Sequence, residues 1–121
     1  MMCIDRTKTG RALVVDYHGA SRELLRRLIR ACGREATAVD TLTDAQNELE
    51  SVDCVVLDVF LPDGSGLELL RTIRERALPI RVAVTTTSSE EDFLEEIERL
   101  GPDAVFVKPI DIPRLIEWLE E

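Results

Sequence analysis

An α/β fold, with five strand–helix units arranged around a parallel sheet, is what this sequence predicts, and three observations predict it. Short apolar runs bounded by turn residues alternate along the chain with stretches of helical period, the pattern of repeated βα units. The runs are rich in Val, Leu and Ile with no polar alternation, as strands covered on both faces must be. Finally, 121 residues, 45% of them hydrophobic and 32% charged, suffice for one domain with its own core. Residues 1–121 are therefore expected to form a single domain, its core spanning about 12–120, without repeats, linkers or low-complexity segments.

The first strand is expected at Ala12 to Asp16. A first helix follows, with Leu24, Leu25, Leu28 and Cys32 on one face and Gly33 ending it through a left-handed cap. The second strand, Glu35 to Val39, carries the weakest apolar signal, and a short helix after Thr43 leads to the third strand, Asp53 to Asp58. Ser65 can cap a third helix that carries Leu67, Leu70, Ile73 and Arg74. The fourth strand, Ile80 to Thr85, precedes a helix opened by Ser89, with Phe93, Ile97 and Leu100 on one side and Gly101 closing it. The fifth strand, Ala104 to Val107, is followed by a helix from Ile112 that tolerates Pro113 in its first turn and buries Leu115, Ile116 and Leu119.

Composition excludes several classes. The net charge of −9 argues against nucleic-acid binding, which draws most of its affinity from Lys and Arg on phosphates. No apolar run nears the roughly 20 residues of a bilayer span, and Met1 to Gly10 lacks a signal-peptide core, so a cytoplasmic protein without membrane contact is expected. Cys3, Cys32 and Cys54 are odd in number and form no C-x-x-C pair, which points to neither a disulfide framework nor a zinc site. Cys54 reads as core. The partner to expect is protein.

In an open parallel sheet, ligands bind beyond the carboxyl ends of the strands. Asp16 ends the first strand, Asp58 the third, Thr85 and Thr86 the fourth, and Lys108-Pro109 the fifth. Two carboxylates, a hydroxyl and an ammonium meeting there suit phosphoryl transfer, with Asp58 as the nucleophile. Mg²⁺, which prefers oxygen ligands, would bridge Asp58 and Asp16, while Lys108 and a threonine hold phosphate oxygens. Taken singly, an Asp at a strand end is an ordinary turn or cap residue and a lysine an ordinary surface residue. The set together carries the assignment.

Three ordered blocks, Leu13-Val14-Val15-Asp16, Val56-Leu57-Asp58-x-x-Leu61-Pro62-x-Gly64-x-Gly66-Leu67 and Val107-Lys108-Pro109, resemble the receiver domains of two-component response regulators, over about Ala12 to Glu120. The resemblance implies a flavodoxin-like (βα)5 fold with strand order 2-1-3-4-5. It implies a signalling domain rather than an enzyme, with at most Mg²⁺-dependent self-phosphorylation and autodephosphorylation. The donor would be a sensor histidine kinase or a histidine phosphotransfer protein. A downstream protein or output domain would read the fourth helix, fifth strand and fifth helix, and a homodimer is compatible. On this reading Asp58 is the phosphoacceptor, Lys108 the essential lysine and Thr86 the switch threonine. Counting back from Gly101 and Lys108 selects Thr86, counting forward from Pro79 selects Thr85, and Thr87 or Ser88 could stand in.

Departures from that pattern carry weight. Tyr17 occupies the place of a second acid that normally touches the metal, so weak Mg²⁺ binding is expected. Phe60 replaces a residue that is often polar, though its backbone carbonyl can still reach the metal. Val105 stands where an aromatic switch residue is usual. The alternative is a pseudo-receiver that binds protein without phosphorylation. A haloacid-dehalogenase-like phosphatase would need a second Asp at Phe60, and a flavin carrier lacks a phosphate-cradling turn at Tyr17-His18-Gly19-Ala20-Ser21. His18, at the mouth of the site, reads as an exposed loop histidine. Glu90, Glu91, Asp92, Glu95, Glu96 and Glu98 make the fourth helix acidic, while Arg22, Arg26, Arg27, Arg30 and Arg34 make the first basic, which could guide two partners. Trp118 is either a core residue or an interface anchor.

Overall fold

The computed structural model describes residues 10–121; Cys3 and the segment before Gly10 lie outside the described residues. Five strands, β1 (Arg11–Val15), β2 (Glu35–Val39), β3 (Cys54–Asp58), β6 (Arg81–Thr86) and β7 (Ala104–Val107), form one parallel sheet in the order β2-β1-β3-β6-β7. Between β3 and the third helix, β4 (Phe60–Leu61) and β5 (Gly64–Ser65) make a small antiparallel hairpin. The helices are α1 (Gly19–Ala31), α2 (Leu42–Gln46), α3 (Leu67–Glu75), α4 (Glu91–Arg99) and α5 (Ile112–Glu120). This is the flavodoxin-like (βα)5 arrangement.

Two cores follow from the period-2 alternation of the strands. Leu13, Val15, Val55, Leu57, Val82 and Val84 pack with α2, α3 and α4 through residues such as Leu42, Leu70, Ile73 and Ile97. Ala12, Val14, Cys54, Val56, Ala83 and Phe106 face the other way, onto Leu25 and Ile29 of α1 and Leu115, Trp118 and Leu119 of α5. Trp118 is thereby a core residue, with the Arg81 guanidinium 4.2 Å from its ring centre.

Several expected boundaries move. The strands expected at 12–16, 53–58 and 80–85 run Arg11–Val15, Cys54–Asp58 and Arg81–Thr86. Thr86 stays in the ladder because its carbonyl accepts the Lys108 N–H at 2.7 Å. On α1 the inward line is Leu25, Ile29 and Cys32, spaced by four and three, whereas Leu24, about 100° round the helix from Leu25, is exposed. Ile116 is half-buried, with Trp118 taking the inward place expected of it. The short helix begins at Leu42, one residue before Thr43, because the Thr41 hydroxyl caps it by accepting the Asp44 N–H. Ser65 does accept the Leu67 N–H, but the residue next to α3 is Gly66, and α4 begins at Glu91, after Ser89. Gly33 and Gly101 end α1 and α4 with φ of 86° and 78°, as expected of left-handed caps.

Cys54 is a free buried thiol whose desolvation pushes its pKa up to about 11. Cys32 is buried as well. Among the described residues, no helix is long and apolar enough to cross a membrane.

Candidate functional site

Strand order decides where polar groups meet. The connections leaving β1 and β3 pass to opposite faces of the sheet, so a crevice opens at the carboxyl edge between these neighbours. Asp16 follows β1 directly, its N–H still bonded to the Val39 carbonyl at 3.1 Å. Asp58 closes β3 in register with Thr85, and Lys108 leaves β7 through a cis bond to Pro109.

The Lys108 ammonium joins the two carboxylates, its Nζ lying 3.2 Å from Asp16 Oδ2 and 3.4 Å from Asp58 Oδ2. Both acids are buried, Asp16 at 1% and Asp58 at 3% exposure. Two carboxylates share one ammonium, which leaves the pocket with an excess of negative charge. Desolvation raises the Asp58 pKa above the ordinary aspartate value; Lys108 opposes the rise and Asp16 reinforces it.

Thr85 and Thr86 are both buried at the end of β6. By strand alternation Thr85 lies on the side of α1 and α5 and Thr86 on the side of α3 and α4. Thr86 is tied to two loops: its carbonyl accepts the Lys108 N–H, and its Oγ1 accepts the Ser88 N–H at 3.1 Å. The Phe60 side chain turns outward and stacks on Phe93 of α4, ring centres 6.0 Å apart. Val105 packs as a partly buried apolar residue against the core on the α2–α4 side.

Gly66 fixes the loop after Asp58. Its N–H donates to the Val59 carbonyl at 2.7 Å, and a Cβ placed on it would lie 2.1 Å from the Asp58 carbonyl oxygen. No side chain fits without displacing that backbone. Asp63, which the sequence did not single out, accepts the Leu42 and Thr43 N–H groups at 2.7 and 3.0 Å and the Thr43 hydroxyl at 2.9 Å. These bonds hold its pKa below the ordinary value and attach the hairpin to α2.

His18 also lies nearer the chemistry than its loop position implied. Its N–H donates to Asp16 Oδ1 at 2.9 Å and its Nδ1 stands 3.6 Å from the same oxygen. Asp16, His18 and Asp58 each offer a ligand atom, all within 4.8 Å of one another. Anionic oxygens beside an imidazole suit a divalent cation. The signal for His18 was its place two residues after Asp16, next to the missing acid.

A buried carboxylate pair bridged by lysine at the carboxyl edge of a (βα)5 sheet marks a class of signalling domains, and comparison with known proteins agrees. The family model for the response regulator receiver domain matches residues 12–120, and the chain belongs to that family. The polar-differentiation response regulator DivK of Brucella ovis is 30% identical over 118 residues, covering 93% of this chain and 94% of DivK. The sensory/regulatory protein RpfC of Xanthomonas campestris pv. campestris is 29% identical across 96% of this chain, which spans 17% of RpfC's length. Among solved structures, the BeF3-activated DrrB receiver domain superposes with a TM-score of 0.85 at 27% identity, over 93% of this chain and 96% of that one.

Proposed function

We propose that this receiver domain takes a phosphoryl group on Asp58 from a histidine kinase or histidine phosphotransfer protein and in response changes its affinity for a downstream protein or output domain. The observation that carries this reading is the Lys108 ammonium bridging two buried carboxylates at 3.2 and 3.4 Å. An Asp58 carboxylate oxygen attacks phosphorus, the P–N bond of the phosphohistidine breaks, and the imidazole leaves with the bonding pair and takes up a proton from solvent. Asp16, Asp58 and the Phe60 backbone carbonyl would hold a divalent cation, which when bound would supply positive charge to offset that on the transferring oxygens. Lys108 follows the charge from carboxylate to phosphate. Thr86 can keep the Ser88 N–H as donor to its oxygen while giving its own proton to a phosphate oxygen, since a hydroxyl does both; Thr85 is the alternative.

Three connections favour α4, β7 and α5 as the surface that reads the phosphate. Lys108 sits at the root of β7, Thr86 is bonded to both Lys108 and the α4 approach, and Phe60 stacks on Phe93 of α4. With Val105 in place of an aromatic, movement of the loop after Thr86 and of α4 carries the change, and a differential of about 1–3 kcal/mol alters partner occupancy several-fold to roughly a hundredfold.

Intact mass measurement with a phosphorylated phosphotransfer domain or a small phosphodonor, in Mg²⁺ and in Mn²⁺, tests the assignment. Wild type gains one phosphoryl group and Asp58→Ala gains none. A wild-type mass unchanged under every donor and cation sinks the reading.

A further inference from the structure

We propose that His18 completes the cation site of this domain, making it an Asp16–His18–Asp58 centre with mixed nitrogen and oxygen ligands that favours Zn²⁺ or Co²⁺ over Mg²⁺. The inference deepens the assignment of the acidic pocket and rests on that pocket holding a cation.

Tyr17 supplies no acid at the second position, and its side chain is exposed. The next residue faces the pocket instead. One ring nitrogen of His18 belongs with carboxylate oxygens of Asp16 and Asp58 to a set within 4.8 Å. Around one tetrahedral ion, ligands at about 2.0–2.2 Å lie about 3.3–3.6 Å apart, so closure by up to about 1.5 Å brings all three into coordination. Side-chain rotation of an exposed histidine covers that distance, the His18 side chain being 68% exposed.

The loop is braced to present this ring. Arg22 Nη1 donates to the carbonyls of Asp16 and Tyr17 at 3.0 and 3.2 Å, and the Arg22 N–H bonds the His18 carbonyl at 2.9 Å, opening α1. The His18 N–H fixes Asp16 Oδ1. Tyr17 and the imidazole meet edge-to-face, ring centres 6.2 Å apart.

The donor chemistry then sets the preference. Mg²⁺ demands oxygen ligands and gives up water reluctantly, whereas imidazole suits later first-row ions. Two carboxylates alone already bind Zn²⁺ more tightly than Mg²⁺, so the affinity order by itself does not reveal His18. What His18 adds is a nitrogen ligand, and its loss is the measurable quantity.

The chain has one histidine, so in an untagged protein its imidazole resonances are unambiguous by NMR. Titration of the metal-free protein with Zn²⁺ should shift them, and Asp58→Asn should weaken that response. By calorimetry His18→Ala should lose tenfold or more in Zn²⁺ and Co²⁺ affinity while Mg²⁺ affinity changes less than twofold, with the circular dichroism spectrum of the wild type. Unshifted His18 resonances at saturating Zn²⁺, or a Zn²⁺ affinity unchanged in His18→Ala, would overturn the proposal. Phosphorylation of Asp58 alongside either result leaves the receiver reading intact and removes only the His18 ligand. Zn²⁺ coordination by His18 without phosphorylation under any condition does the reverse.

Discussion

The two edges of the sheet are both charged, yet they are built on opposite rules. At the amino edge charges pair one for one: Arg34 with Asp53 at 3.1 Å, Arg74 with Asp103 at 2.9 Å and Arg81 with Glu121 at 3.3 Å. These pairs also serve the backbone. Arg74 donates to the Gly101 and Ile80 carbonyls, and Asp103 accepts the Val82 N–H, so the turns before β6 and β7 are clamped together. At the carboxyl edge Asp16 and Asp58 share Lys108, and the charges are buried and left unbalanced. Balance makes a joint, while imbalance in a dry place makes a site that attracts a cation.

The substitution expected to disturb this contrast most is Gly66→Ala. Its methyl group would meet the Asp58 carbonyl oxygen, so the loop must move, at a cost of about 1–3 kcal/mol or more. Chemical denaturation measures that cost, and phosphorylation of Asp58 should fall with it. A variant of wild-type stability would show that the hairpin yields freely.

Arg74→Ala probes the other edge. Three hydrogen bonds vanish, two to backbone carbonyls and one to Asp103, and a loss of about 2 kcal/mol is expected at roughly 0.5–1.5 kcal/mol for each bond. Phosphorylation at Asp58, measured well below the unfolding midpoint, should be unaffected. A loss of phosphorylation with the fold intact would mean that the edges are coupled.

The smallest effect sharpens the contrast within one connection. Asp58 and Asp63 lie five residues apart, one with its pKa raised by burial and the other with its pKa lowered by backbone donors. For Asp58 the folded state holds its proton more tightly than the unfolded chain, so stability falls as pH rises from the ordinary value of 3.8 through the raised folded pKa. Asp58→Asn should therefore stabilise at neutral pH, without divalent cations, and the gain should vanish in acid. Asp63 behaves oppositely: its contribution is full above 3.8 and is lost as pH falls through its depressed folded pKa. Asp63→Asn should destabilise at neutral pH and converge with wild type in acid. Denaturation profiles bending the same way for both variants would contradict these environments.

The strand pattern made the α/β class legible before any coordinates, because strands covered on both faces leave uninterrupted apolar runs and their ends mark the ligand edge, while the strand order came from the family resemblance. Asp16, Asp58 and Lys108 could be named for that reason. Helix faces were less legible: Leu24, Leu25 and Leu28 are equally apolar, and only packing against the sheet selects Leu25 with Ile29. Asp63 escaped because the α2 backbone groups that it accepts are brought to it only by the fold; for His18 the contact with Asp16 is local, but the approach to Asp58 is not. Trp118, undecided between core and interface, is settled by its burial in the core shared with α1 and by the Arg81 guanidinium over its ring.

That indole has an optical consequence. It is the chain's only tryptophan, buried beside the start of β6, while the acidic pocket lies at the other end of that strand, roughly 17 Å away at about 3.3 Å per residue. Emission from Trp118 therefore observes the amino edge alone. Loading the distant pocket should leave its colour unchanged, whereas unfolding, which strips away the guanidinium and exposes the ring to water, should move it to the red.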